Sequence, residues 1–343
     1  MIRKWIFDLI VAFVLITGAW HGDLLDYGWK AARGQFRILL KARSVKSYLL
    51  DPTVPDSLKQ KVRLIQEIKQ FTIDSLGFVP NKNYTTIYDQ QGKPLLWVVT
   101  ASEKFALRPY FWKFPIVGKV SYKGFFSEEE ALEEAQWLEQ KGFETRIRKV
   151  NAWSTLGWFN DPIMSSMLEE TPGDLANLII HELSHRTIYV KNNVEYSENL
   201  ASFIGDKGAR LFLNYKYGKD SHEYSEYVHG EEDYSRFASH MLHGAKRLDS
   251  LYADTGFKTL DETQKIIHKQ ALIQMIIKDA DTVTMHDRSY LNWLNKQTPN
   301  NALFIIFRQY NNQQQEFEEE FQRIANGNLK AYVSFLKTND PLE

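Results

Sequence analysis

The chain has 343 residues, 43% of them hydrophobic and 14% aromatic, which is enough apolar material to bury a large core and excludes a disordered chain. With 42 basic against 43 acidic residues the net charge is -1, so charge gives no support for nucleic-acid binding. The absence of cysteine excludes disulfides, thiolate metal ligands and a lipoprotein anchor.

At the N-terminus Arg3-Lys4 precede an apolar run over 5–20, interrupted by Asp8 and, more mildly, by Thr17 and Gly18. Residues 1–22 therefore read as a signal anchor or a signal peptide, and 23–343 as a single catalytic unit. The uncleaved anchor is preferred over a cleaved signal ending near Thr17-Gly18-Ala19 and over a buried N-terminal helix. The basic flank predicts that the N-terminus is cytoplasmic and that the catalytic unit is membrane-anchored on the periplasmic or extracellular side.

Residues 27–50 follow as an amphipathic, basic helix that either packs on the catalytic unit, the favoured reading, or lies on a lipid surface. Asp51-Pro52-Thr53-Val54-Pro55 breaks the chain, and Asp56 is expected to cap a helix ending at Gly77. Strands are predicted over 84–88, 95–101 and 116–122 from their β-branched and aromatic content and intervening turns. Ser127 with Glu130 reads as a capping box opening a helix that stops at Gly142, and 143–150 alternates as another strand. Residues 151–167 are turn-rich and carry Trp153, Trp158 and Phe159. After Gly218 the helical patterns cover 234–252, 260–278, 302–325 and 329–336, with a break at Asn326-Gly327-Asn328. The expected fold is α+β and mostly helical: 23–150 holds N-terminal helices and a small sheet, and 151–343 holds the site and the C-terminal helices.

The chemistry is concentrated in 171–209. Thr171-Pro172-Gly173-Asp174 supplies an N-cap, a proline at the first helical position and an acid at the third. The helix that follows contains His181-Glu182-Leu183-Ser184-His185, and Asn192-Asn193 is expected to stop it. Spacing of i, i+4 puts His181 and His185 on one face, where two imidazoles can hold one zinc ion while Glu182 acts as a general base. A catalytic zinc takes three protein ligands. Glu198 is the best third candidate, because Glu198, Ala201, Ser202, Gly205 and Ala209 share a small-residue face that permits close helix approach. Glu195 is the weaker choice. Tyr189, one turn past His185, is a candidate hydrogen-bond donor to the transition state. His240 and His243 have i, i+3 spacing, but no acid stands on the matching face.

His-Glu-Leu-Ser-His, followed by Tyr189-Val190-Lys191 and then Ser197-Glu198-x-x-Ala201-x-Phe203, resembles a bacterial aminopeptidase family of zinc peptidases with a glutamate ligand. The resemblance extends through Tyr27-Gly28-Trp29, Gly34-Gln35, Gly124-Phe125-Phe126-Ser127-Glu128 and Ser154-Thr155-Leu156-Gly157-Trp158-Phe159, and to Asn300-Asn301-Ala302 and Tyr310. The family more often has Asn where this chain has Ser197. The resemblance implies a zincin-like peptidase acting on peptide substrates, with Tyr310 as a second candidate donor. It also implies that residues 150–159 look like the edge strand that pairs with extended substrate backbone in such enzymes. Aminopeptidase, endopeptidase and a non-catalytic, membrane-tethered zinc-binding protein remain the functional alternatives. For an exopeptidase, Glu169, Glu170 and Glu195 are candidate partners of the substrate amine.

Overall fold

The computed structural model describes residues 22–114, 118–150, 160–188, 190, 193–311 and 313–338. The expected anchor, most of the expected substrate-binding strand and Tyr189 lie outside the described residues.

The fold is α+β with helices in the majority. Helix α1 (Gly22–Lys41) leads into the short strand β1 (Arg43–Ser44) and helix α2 (Val45–Leu50), so the single helix expected over 27–50 is divided. The division has a local cause: Ser44 is extended and its side chain accepts the amide of Ser47, which starts a new helix. Helix α3 (Asp56–Asp74) follows, with Pro55 rather than Asp56 at the cap position. Strands β2 (Thr86–Tyr88), β3 (Leu96–Glu103), β4 (Trp112–Phe114), β5 (Gly118–Val120) and β6 (Tyr122–Phe125) come next, then helix α4 (Glu128–Gln140) and strand β7 (Phe143–Val150). Ser127 stands at the N-cap of α4, but its side chain makes no cap bond, so the expected capping box is not formed.

The three-stranded antiparallel sheet β6-β3-β7 matters most for the site. Its register sets Gly124, Val98 and Arg148 in one row across the sheet, with Tyr122 opposite Thr100. One face packs Val99, Ala101 and Phe125 against Ala131, Ala135 and Leu138 of α4. The other face carries Glu144, Arg146 and Arg148 of β7 and is stitched to C-terminal helices. Lys269 bonds Glu144 at 2.5 Å, Arg146 donates to Gln297 at 2.5 Å, and Arg148 donates to the Tyr310 hydroxyl at 3.0 Å.

After strand β8 (Ile163–Met164), which pairs in parallel with β2, and one 3-10 turn come helices α5 (Pro172–Thr187), α6 (Val194–Tyr217) and the 32-residue α7 (His222–Ala253). Helices α8 (Thr255–Thr259), α9 (Glu262–Ala280), α10 (Ser289–Asn295), α11 (Asn301–Asn311), α12 (Gln314–Ala325) and α13 (Leu329–Thr338) complete the order. The pattern over 302–325 predicts one helix, but α11 and α12 are separate. The buried amide of Asn199 supplies the reason: it donates to the Gln309 carbonyl at 2.6 Å and accepts the Gln313 amide at 3.3 Å, satisfying backbone groups at the joint. The largest apolar core lies beneath α3, α5 and α6 and includes Ile65, Ile68, Ile179, Ile180 and Ile204, all fully buried. A second core joins α7 to α9–α11.

Candidate metal centre and active-site cleft

Helix α5 begins as its sequence requires. The Thr171 hydroxyl accepts the Asp174 amide at 3.2 Å and donates to the Asp174 carboxylate at 2.7 Å, with Pro172 at the first helical position. Its apolar side buries Leu175, Ile179, Ile180 and Leu183 completely, which leaves the His181 and His185 face toward α6 and a cleft. The helix ends at Thr187 with Ile188 as its C-cap, ahead of the stop expected at Asn192-Asn193. Asn193 then works as a start signal: its side chain accepts the Tyr196 amide and caps α6.

Two positions within α6 fix where it lies. Ser197 Oγ is 3.0 Å from the Asn193 carbonyl and 3.3 Å from that of Val190, so the hydroxyl at the family's departure point ties down the α5–α6 connection. Gly205 lets the two helices meet. A Cβ there would lie 2.4 Å from Asn177 Oδ1, 3.2 Å from the Asn177 carbonyl oxygen and 3.3 Å from the His181 Cβ. A Cβ there would force the Asn177 side chain to move and the α5 backbone to give by a few tenths of an ångström.

This packing brings the Glu198 carboxylate to the two imidazoles. His181 Nε2 and His185 Nε2 are 3.3 Å apart, and Glu198 Oε2 is 3.4 Å from the first and 3.8 Å from the second. Tetrahedral zinc with bonds of about 2.0–2.1 Å requires its ligand atoms to be roughly 3.3–3.4 Å apart, so the donor set fits the ion in type and spacing. Among the described residues this is the group of three His, Asp or Glu side chains whose ligand atoms converge. Glu195, in the first turn of α6, is exposed and is not part of it. His240 Nε2 is engaged with the Ile276 carbonyl at 2.8 Å.

The protonation states of two of the three groups also suit a metal. Burial pushes the His185 imidazole down to about 4, aided by the neighbouring His181. Burial raises Glu198, but the hydrogen bond from His181, the nearby His185 and Arg148 outweigh it and hold the carboxyl below its usual value. For His181 burial acts downward, while the Glu198 bond and the Glu182 and Glu198 charges bring the net shift upward. A neutral His185 and an ionised Glu198 are the forms a metal needs.

The cluster opens into a cavity of about 1550 Å³. Glu182 lines it beside His181, and Tyr122, Arg148 and Tyr310 line it from strands β6 and β7 and helix α11. The Tyr310 hydroxyl accepts the Arg148 bond, leaving its own proton to donate. Burial, reinforced by the Glu198 and Glu182 charges, raises both Tyr122 and Tyr310, so both remain protonated donors. Arg148 and Tyr122 were not singled out by the sequence. A signal existed in the alternation of β7, where Arg146, Arg148 and Val150 share one face, but that face reads as solvent-exposed.

Farther along α5 the cavity wall becomes acidic. Of Glu169, Glu170 and Glu195, only Glu170 lines it, joined by Asp174, Asp206 and Glu231. Asn177 donates to Tyr227 at 3.0 Å, Tyr227 to Asp206 at 3.2 Å, and Arg210 to Asp206 at 2.8 Å. Burial and the Asp206 charge push Glu231 up to about 7.

The fold and the cleft therefore define an α+β protein, mostly helical, with a His-His-Glu cluster, of which His185 is buried and His181 and Glu198 half-buried, able to hold a metal ion at the wall of a large cavity. The chain belongs to the family described as "Putative aminopeptidase", whose model matches residues 26–342, and it is thus a member of a peptidase family. Comparison with curated proteins and with solved structures gave no match.

Proposed function

We propose that the chain is a zinc-dependent, zincin-like peptidase, with His181, His185 and Glu198 as ligands and Glu182 as general base. The carrying observation is the convergence of three donor atoms at 3.3–3.8 Å, with Glu182 next in sequence to a ligand and facing the same cleft. When bound, zinc supplies Lewis acidity toward water and a peptide carbonyl. Glu182 takes the proton of the attacking water at its carboxylate and passes it to the leaving amine. Tyr310 and Arg148 present hydrogen-bond donors to the oxygen on which negative charge develops. Replacing Tyr310 by Phe is expected to lower kcat by about 10²–10³ with little change in KM, by analogy with loss of one oxyanion donor. Steady-state kinetics check it, and an unchanged kcat removes Tyr310 from this role.

We read the acidic wall as the partner of a substrate amine, which favours an aminopeptidase over an endopeptidase. Asn177, in contact with that wall, is one turn before His181, about 6 Å along the axis, a span of one to two extended residues. Glu231 is protonated below about 7 and ionised above it. A peptide α-amine stays largely charged to roughly 7.7–8.0. KM for free peptides is therefore expected to fall between pH 6 and 7.5, while N-acetylated peptides are cut poorly at every pH. Equal cleavage of free and N-acetylated peptides favours the endopeptidase reading instead.

Membrane attachment through residues 5–20, with the cleft outside the cytoplasm, belongs to the same proposal and is supported by Arg3-Lys4 ahead of the apolar run. Among the described residues no helix is long and apolar enough to cross a membrane. External protease applied to intact spheroplasts is expected to digest a membrane-bound chain. A protected chain contradicts the orientation, and a soluble chain contradicts the anchor.

A further inference from the structure

Helix α1 carries exposed apolar side chains on one face. Trp29 is 70% exposed, Phe36 53% and Leu40 84%, whereas Ile38 is 1% exposed. At about 100° per residue the first three fall within roughly 40° of one another and Ile38 lies opposite, so they form one outward apolar stripe. Exposed Arg33, Arg37 and Lys41 flank the stripe on one side. Lys30 is held by Asp26 at 2.7 Å and Glu130 at 3.0 Å. From position 27 to 50 there are six basic residues and no acidic one, in a chain whose net charge is -1.

We propose that this face of α1 docks on an anionic lipid bilayer, with Trp29, Phe36 and Leu40 entering the headgroup boundary and Arg33, Arg37 and Lys41 meeting lipid phosphates. An apolar stripe edged by cations is the pattern of an interfacial helix, and indole sits well at that depth. Charge complementarity selects acidic headgroups. Chain continuity supports the same occupant: the apolar run 5–20 ends two residues before α1 begins, so a lipid-embedded run delivers α1 to the surface. The docking rests on the α1 surface alone and does not require that the run span the membrane or that the cleft be catalytic. Gly28, Ala32 and Gln35 on the adjacent side of α1 line the cleft, so docking fixes the cleft's orientation to the membrane plane.

The absence of cysteine makes the test clean. Full-length chain bearing Leu40→Cys is labelled with a polarity-sensitive dye and mixed with vesicles of phosphatidylglycerol and phosphatidylethanolamine containing headgroup-proximal quenchers. The label is expected to shift blue and be quenched on these vesicles and much less on phosphatidylcholine. The combined Arg33→Glu, Arg37→Glu, Lys41→Glu chain should need at least tenfold more lipid for the same quenching. Raising salt to about 0.5 M on the Leu40→Cys chain gives an independent readout and should weaken the signal. The proposal is overturned if the label stays in water on anionic vesicles, or if neutral lipid or high salt quenches it equally. A vesicle-independent shift with doubled mass in light scattering also overturns it, assigning the face to a second copy of the chain.

Discussion

Glu182→Gln is expected to bind zinc as the unmodified chain does and to lose about 10²–10⁴ in kcat, or roughly 3–5 kcal/mol of transition-state stabilisation. The substitution keeps the volume and hydrogen-bonding outline of the side chain while removing its ability to accept a proton. His181, His185 and Glu198 are untouched, and their mutual distances are set by α5–α6 packing at Gly205 rather than by Glu182. KM should change little, because the base acts in the transition state and not in ground-state binding. Elemental analysis together with kinetics on one preparation checks both halves. Undiminished kcat with full zinc content would remove Glu182 from its role.

His185→Ala should act on the metal itself. His185 is buried and neutral, and no other donor among the described residues converges on its position. Its removal would leave two of the three proposed ligands, so zinc affinity should fall well beyond the roughly 10–100-fold that loss of an outer-sphere partner costs. A ligand at about 1,000 times its Kd stabilises a fold by about 4 kcal/mol. Added zinc should therefore raise the unfolding temperature of the unmodified chain and leave that of the variant unmoved. An equal zinc-dependent rise in both would place the ion elsewhere.

Helix α5, which carries the candidate ligands His181 and His185, was legible because its signals are local. Thr171 and Pro172 start it, and i, i+4 spacing aligns His181 with His185 whatever lies around them. The approach of Glu198 to the two histidines was legible through the small face of α6, where Gly205 meets α5 closely. The Arg148–Tyr310 part of the lining was not, since Arg148 finds Tyr310 across 162 residues and the charged face of β7 looks solvated until helices cover it. The acidic wall was hidden for the same reason: Asp174, Asp206 and Glu231 belong to three helices and become neighbours only on packing. The divided helices have separate causes, a serine cap at Ser44 in one case and the reach of Asn199 in the other. Only the first is written in its own neighbourhood.

Cleavage of a broad peptide library by the full-length chain, before chelation, after chelation and after zinc is returned, tests zinc-dependent peptide hydrolysis at His181, His185 and Glu198 most directly. Cleavage should be present at first, disappear with the metal and return with zinc. Cleavage that persists after complete metal removal, or no cleavage of any peptide by zinc-loaded protein, would contradict it, and the second result would favour a non-catalytic zinc-binding protein on a peptidase fold.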